Sequence, residues 1–205
     1  MRFVRFKYSK DTYYGNIEGK NITQWSDAPW EGGKKLNLSF KLDDVDLLSP
    51  CKPKKIICIA INYPGATGLT SEISEPLVFI KPSSCIIGPN QKILSPFKNS
   101  LTWGESELGI IIGKKLKKAT IKEVKSAVFG YTIGNDITCN NINEWDHHLA
   151  RSKAADTFCA LGPWIDTNFD PSGKYIRGYH NKILLREGLC QDRLWKEPHL
   201  LVWLS

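Results

Sequence analysis

Glu105 and Glu107 stand two residues apart in the run Trp103-Gly104-Glu105-Ser106-Glu107-Leu108-Gly109-Ile110-Ile111-Ile112-Gly113. On a β-strand, residues i and i+2 project to one face, about 6.6 Å apart along the chain. The two carboxylates therefore share a face, and Ser106, Leu108, Ile110 and Ile112 take the other. Two like charges on one face of an apolar strand repel unless a cation joins them. Asp136 adds a third. It sits in Gly134-Asn135-Asp136-Ile137-Thr138, between Ile133 and Ile137, and an aspartate inside an apolar strand needs a partner. Three carboxylates with no His or Cys beside them make a hard oxygen site, suited to Mg²⁺ or Mn²⁺, with Ca²⁺ also compatible, rather than to zinc. The expectation is that the three converge to within about 5 Å, close enough to share one cation.

The elements that must position these groups follow from pattern. Residues 105–113 and 131–139 read as strands that place Glu105, Glu107 and Asp136. Lys55-Ile56-Ile57-Cys58-Ile59-Ala60-Ile61 is a continuous apolar run of strand length, which predicts burial on both faces. Pro76-Leu77-Val78-Phe79-Ile80-Lys81 reads as another strand, and 85–88 as a short one. Thr120-Ile121-Lys122-Glu123 fits a capping box, with Thr120 as N-cap and Glu123 at N3. Ile121, Val124, Ala127 and Val128 follow at helical spacing, and Gly130 is the expected stop. A second short helix is expected over 142–150, with His147 and His148 solvated on it. The run 200–204 reads as strand or helix.

Residues 1–50 differ from the rest. Short β-like runs at 3–8, 13–17 and 21–25 are broken by turn residues such as Gly15 and Gly19, and Pro50 and Pro53 mark a boundary. The expected organisation is a small N-terminal β domain over 1–50 and a larger domain over 51–205.

Composition narrows the class. The chain has 205 residues, 41% hydrophobic and 24% charged, ordinary for a globular domain and too apolar for disorder. At this mass a compact fold exposes about 9,700 Å². No apolar run approaches the roughly 20 residues a membrane-spanning helix needs, so no membrane partner is expected. The net charge of +7 raises the question of nucleic acid. Six lysines (114, 115, 117, 118, 122 and 125) crowd one segment without interleaved aromatics, so bases have no stacking platform and a solvated basic face is expected instead. Cysteines 51, 58, 85, 139, 159 and 190 form no CxxC and read as buried small hydrophobes in a reducing compartment, which points to the cytoplasm.

Several blocks in order resemble the fumarylacetoacetate hydrolase family, in particular its small bacterial members. Lys55-Ile-Ile-Cys-Ile-Ala-Ile-Asn-Tyr63 is similar to the family's entry strand, and Pro76-Leu-Val-Phe-Ile-Lys-Pro-Ser-Ser84 to its next strand and loop. Glu105-Ser-Glu107 resembles its metal-binding strand, and Gly130-Tyr-Thr-Ile-Gly-Asn-Asp-Ile-Thr138 the strand with the third ligand. Lys153-Ala-Ala-Asp-Thr-Phe158 and Leu161-Gly-Pro-Trp164 resemble the loop that follows. The resemblance implies an α+β fold, a β-rich roll or distorted barrel with a few outer helices, usually as a homodimer. It implies Glu105, Glu107 and Asp136 as metal ligands, Lys153 as a catalytic lysine beside the metal, and Lys81 and Thr157 as substrate-binding residues. It implies a small 2-oxo acid or diacid substrate, as in aromatic catabolism, and a reaction through an enolate: C–C hydrolysis, decarboxylation or keto–enol isomerisation.

The sequence also departs from that pattern. Ala66 and Leu69 fall where the family carries a histidine and a glutamate that serve as general base. Asn140, Asn141 and Asn143 replace the usual Arg, Asp and Gln, and Ala160 a usual proline. No Pro-Gly-Asp turn or Gly-Thr-Pro loop follows the segment 200–205, so a C-terminally truncated member is expected. The alternative reading is a metal-binding member with impaired catalysis.

Overall fold

The computed structural model describes residues 1–64, 74–141 and 145–205. Ala66, Leu69 and Asn143 lie outside them.

The N-terminal part is a meander: β1 (Arg2–Tyr8), β2 (Asp11–Glu18), β3 (Asn21–Trp25) and β4 (Lys35–Lys41), followed by β5 (Asp46–Leu48). Of these, β4 has no counterpart in the sequence reading. The buried side chains of β1 and β3, Val4, Phe6 and Ile22, form its core with Tyr13 and Phe40 packed against them. The rest of the chain supplies β6 (Ile56–Ala60), β7 (Leu77–Lys81), β8 (Ile86–Ile87), β9 (Thr102–Ile112), α1 (Ile121–Ala127), β10 (Val128–Cys139), α2 (Ala150–Lys153), β11 (Cys159–Asp166), β12 (Tyr175–His180), β13 (Ile183–Leu189) and α3 (His199–Leu204).

One nine-stranded sheet dominates, in the order β4-β3-β2-β1-β11-β10-β9, with β5 on β1 and β8 on β11. The junction is antiparallel pairing of Arg2 with Asp166 and Phe3 with Ile165, so residues 1–50 share a sheet with the remainder. The α+β, sheet-rich fold with few helices stands as expected. Among the described residues the sheet's path does not close on itself.

Three local expectations need correction. The helix that begins at Thr120 has its full capping box, but it ends at Ala127, and Val128 already belongs to β10. The β-branched Val128 and aromatic Phe129 favour the strand. Gly130 serves strand packing rather than helix termination, since a Cβ there would lie 2.7 Å from the Asp166 carbonyl oxygen. The second helix is displaced. Residues 145–149 are not helical, Leu149 adopts φ 57°, and the helix runs over Ala150–Lys153 with the Asp146 carboxylate accepting from the Ser152 amide at 2.7 Å.

The third correction concerns β6. It pairs only with β7 in a two-stranded ribbon, and Ile57, Leu77, Val78 and Ile80 are exposed. A continuous apolar run demands dry faces but does not say what dries them. The β12–β13 ribbon likewise exposes Ile183, Leu184 and Leu185. These ribbons help explain an accessible surface of 13313 Å², well above the compact expectation. The chain ends in α3, whose Leu201 packs with Ala119 and Val124 beside α1. The six clustered lysines and all four histidines are exposed.

Candidate metal centre

Strands β9 and β10 pair antiparallel with Glu105 opposite Asp136, Glu107 opposite Gly134, and Trp103 opposite Thr138. The period-two pleat then places residues 103, 105 and 107 beside 134, 136 and 138 on one face. One ligand atom from each of Glu105, Glu107 and Asp136 falls within 4.8 Å of the others. They line a cavity of about 1490 Å³ bordered by β6, β9, β10 and β13.

Two lysines pin Asp136, and they differ. Lys81, on β7, exposes no surface at all. Its Nζ stands 2.6 Å from Asp136 Oδ1. It also donates to the carbonyl oxygens of Ile137 at 3.2 Å, Phe158 at 2.8 Å and Lys153. An ammonium has three protons to offer. Four acceptors therefore share three protons, and the charged one, Asp136 Oδ1, is at charge-assisted hydrogen-bond distance. Lys153, at the end of α2, donates to Asp136 Oδ2 at 2.7 Å and to Glu105 Oε2 at 3.1 Å. Its ammonium also lies 5.1 Å from the centroid of the Phe79 ring.

The three carboxyls are not equivalent. Glu105 Oε1 accepts from Trp103 Nε1 at 2.8 Å and Thr138 Oγ1 at 3.0 Å. Burial pushes its pKa up, but Lys153 and these donors outweigh burial and hold it below the usual carboxylate value. Lys153 shows the mirror effect. Burial pulls its pKa down, and Asp136 and Glu105 more than reverse that. Glu107 makes no hydrogen bond or ion pair among the described residues. Burial first, then the charges of Asp136 and Glu105, push it up to about 7. Cys58, on β6, is a neutral thiol beside the cluster, pushed up to about 12 by burial and by Asp136 and Glu107.

Of the residues expected at the site, Glu105, Glu107, Asp136 and Lys153 come together. Lys81 also borders the cavity, but it is fully buried beneath Asp136, its ammonium among Asp136 Oδ1 and three main-chain carbonyls. Thr157 is not among the residues bordering the cavity, and its hydroxyl accepts from the Leu94 amide at 2.9 Å. Sequence reasoning missed Trp103 and Thr138, although their period-two offsets from Glu105 and Asp136 already placed them on the ligand face.

The donor set is three carboxylates within 4.8 Å, of which Glu107 has no hydrogen-bond or ion-pair partner among the described residues. It fits a hard divalent cation.

Comparison with known proteins agrees. Residues 55–205 match the family model described as fumarylacetoacetate (FAA) hydrolase C-terminal. The chain belongs to the fumarylacetoacetate hydrolase family. Residues 1–50 match a second model, Rv2993c-like, N-terminal. Protein Rv2993c of Mycobacterium tuberculosis is 37% identical over 172 residues, covering 82% of this chain and 65% of that protein. The chain thus spans slightly less than two thirds of this family relative's length. The crystal structure of 5-carboxymethyl-2-hydroxymuconate delta-isomerase from Mycobacterium smegmatis matches with a TM-score of 0.90 and 31% identity, over all of this chain and 82% of that one. Maleylpyruvate hydrolase from Sphingobium sp. SYK-6, solved with manganese(II) and pyruvate, matches with a TM-score of 0.76 and 25% identity, over all of this chain and 83% of that one.

Proposed function

We propose that the chain is a divalent-metal-dependent enzyme of the fumarylacetoacetate hydrolase family acting on 2-oxo acids or diacids. The observation that carries this reading is the convergence of Glu105, Glu107 and Asp136 on one wall of a ligand-sized cavity, with Lys153 beside them. Glu105, Glu107 and Asp136 would hold Mg²⁺ or Mn²⁺, which would supply Lewis-acid polarisation to a bound 2-oxo acid. Related proteins carry isomerase and hydrolase names, and one was solved with manganese and pyruvate.

The chain's own residues set the rest. Lys81 fixes Asp136 from below, and Trp103 and Thr138 fix Glu105, so two ligands are oriented before anything binds. Lys153 carries positive charge to where an enolate oxygen develops. Enolisation also needs a base, to take the substrate's α-proton. Hydrolysis also needs a base for water, and Ala66 and Leu69, at the positions where the family carries one, cannot move a proton. Loss of a general base costs roughly 10²–10⁴-fold. Both steps are therefore expected to run slower than in a family member that has the base, and the step to look for is metal-dependent exchange, in which a base from solvent can take the α-proton.

The test is proton–deuterium exchange at the pyruvate methyl group, followed by NMR with Mg²⁺, beside hydrolysis of acetylpyruvate. Exchange that depends on Glu105 and is lost in Glu105→Ala, with hydrolysis near background, is expected. Rapid hydrolysis with no pyruvate exchange would overturn the reading.

A further inference from the structure

Lys81 and Lys153 both neutralise Asp136, yet only one of them is locked. Lys81 is wholly buried, and besides Asp136 its ammonium meets three main-chain carbonyls from three different segments. Among the described residues Lys153 has no carbonyl partner for its ammonium. It holds the Asp136 and Glu105 carboxylates there, and its side chain is 10% exposed, on the cavity side of the cluster. The two oxygens it takes, Asp136 Oδ2 and Glu105 Oε2, belong to the two carboxylates that a shared cation needs. Glu107, the third, makes no bond to it.

Building on the metal reading above, we propose that Lys153 is an exchangeable counter-cation. It holds Glu105 and Asp136 in ligand geometry before a divalent ion arrives, and the ion then displaces its ammonium toward the cavity. Three carboxylates and two ammoniums carry a net −1 when all are ionised. A divalent ion brings this to +1, and the positive charge repels the less firmly held cation, which is Lys153 rather than Lys81. The displaced ammonium then faces an incoming anionic ligand. Metal and anion binding become coupled through one side chain, and the ion is held more weakly than the bare triad would hold it.

Two measurements test this on the full chain. The first is Mn²⁺ affinity, by electron paramagnetic resonance, in the wild type, Lys153→Met and Lys153→Arg. Removing the competing charge should tighten Mn²⁺ binding by at least about tenfold in Lys153→Met, while Lys153→Arg stays at or below the wild type. A side chain that merely supports the site gives the opposite, weaker binding in Lys153→Met. The second is acetic anhydride labelling of the wild type, read by peptide mass spectrometry. Mn²⁺ should raise Lys153 labelling several-fold and leave Lys81 unlabelled throughout, and added oxalate should protect Lys153 again. Labelling unchanged or lowered by Mn²⁺, or a folded Lys153→Met that binds no tighter, overturns the exchange. If Lys153→Met does not fold, the labelling result decides. If the wild type binds no Mn²⁺ at all, the metal reading falls with it. Mn²⁺ binding without exchange overturns this inference alone.

Discussion

Around β1, the buried side chains are Val4, Phe6 and Ile22, and Phe6 meets Phe40 with ring centroids 5.1 Å apart. Around β10, two strands along the same sheet, the buried side chains include Asp136, Lys81 and Lys153. The first region is held by removal of apolar area from water, which neither pH nor salt alters much. The second buries charge, where desolvation offsets much of the Coulomb attraction and a well-packed apolar replacement would serve stability as well or better. A fold keeps such an arrangement for what it positions. The contrast therefore marks the β9–β10 face as the functional one without appeal to any relative.

The sharpest way to break the comparison is to truncate one residue from each region. Lys81→Met leaves Asp136 buried beside a missing cation and should cost about 3–5 kcal/mol, in the range for a broken buried pair. Its loss should shrink markedly at acid pH, as the carboxyls protonate. Phe6→Ala should cost about 3–5 kcal/mol as well, by cavity formation, with little dependence on pH. Urea melts at two pH values distinguish them. Equal pH dependence would show that the charged region is no different in kind.

Glu107 sharpens the contrast from within the charged region. Its pKa is about 7 in the folded chain, above the ordinary value of 4.5, so the folded state binds the extra proton between those values. Its contribution to stability is therefore most favourable below about 4.5, declines as pH rises through the window, and is fully lost above about 7. Without divalent ions, Glu107→Gln should be the more stable protein at pH 8, by up to about 3 kcal/mol, with the difference vanishing near pH 4. For the same reason Mn²⁺ must displace a proton from Glu107 below pH 7, so its affinity should fall by up to about tenfold per pH unit there. The smallest effect belongs to a surface device remote from both regions. Thr120→Ala removes the cap of α1 and should cost about 1 kcal/mol at any pH above the Glu123 titration.

Much of the candidate site was legible because its code is short-range. The i, i+2 spacing of Glu105 and Glu107 and the apolar flanks of Asp136 need only strand geometry to be read. The capping box at Thr120 is equally local. Lys81 was not legible as a buried support. Its role depends on carbonyls of Ile137, Lys153 and Phe158, brought together from distant parts of the chain. Within the helix expected over 142–150, residues 145–149 are not helical: Leu149 is left-handed and the Asp146 carboxylate accepts from the later turn, a non-local arrangement that periodicity does not show. The exposed β6–β7 ribbon shows the same limit, since an apolar run states a need and not its partner.

The central claim is that Glu105, Glu107 and Asp136 form one cation site. Thermal unfolding of the wild type and Glu107→Ala with and without millimolar Mn²⁺ tests it most directly. Binding only to the folded form should stabilise the wild type by about 2.7 kcal/mol at a hundred times Kd and raise its Tm, while Glu107→Ala should show little shift. An equal shift in both proteins, or none in the wild type, would contradict the account.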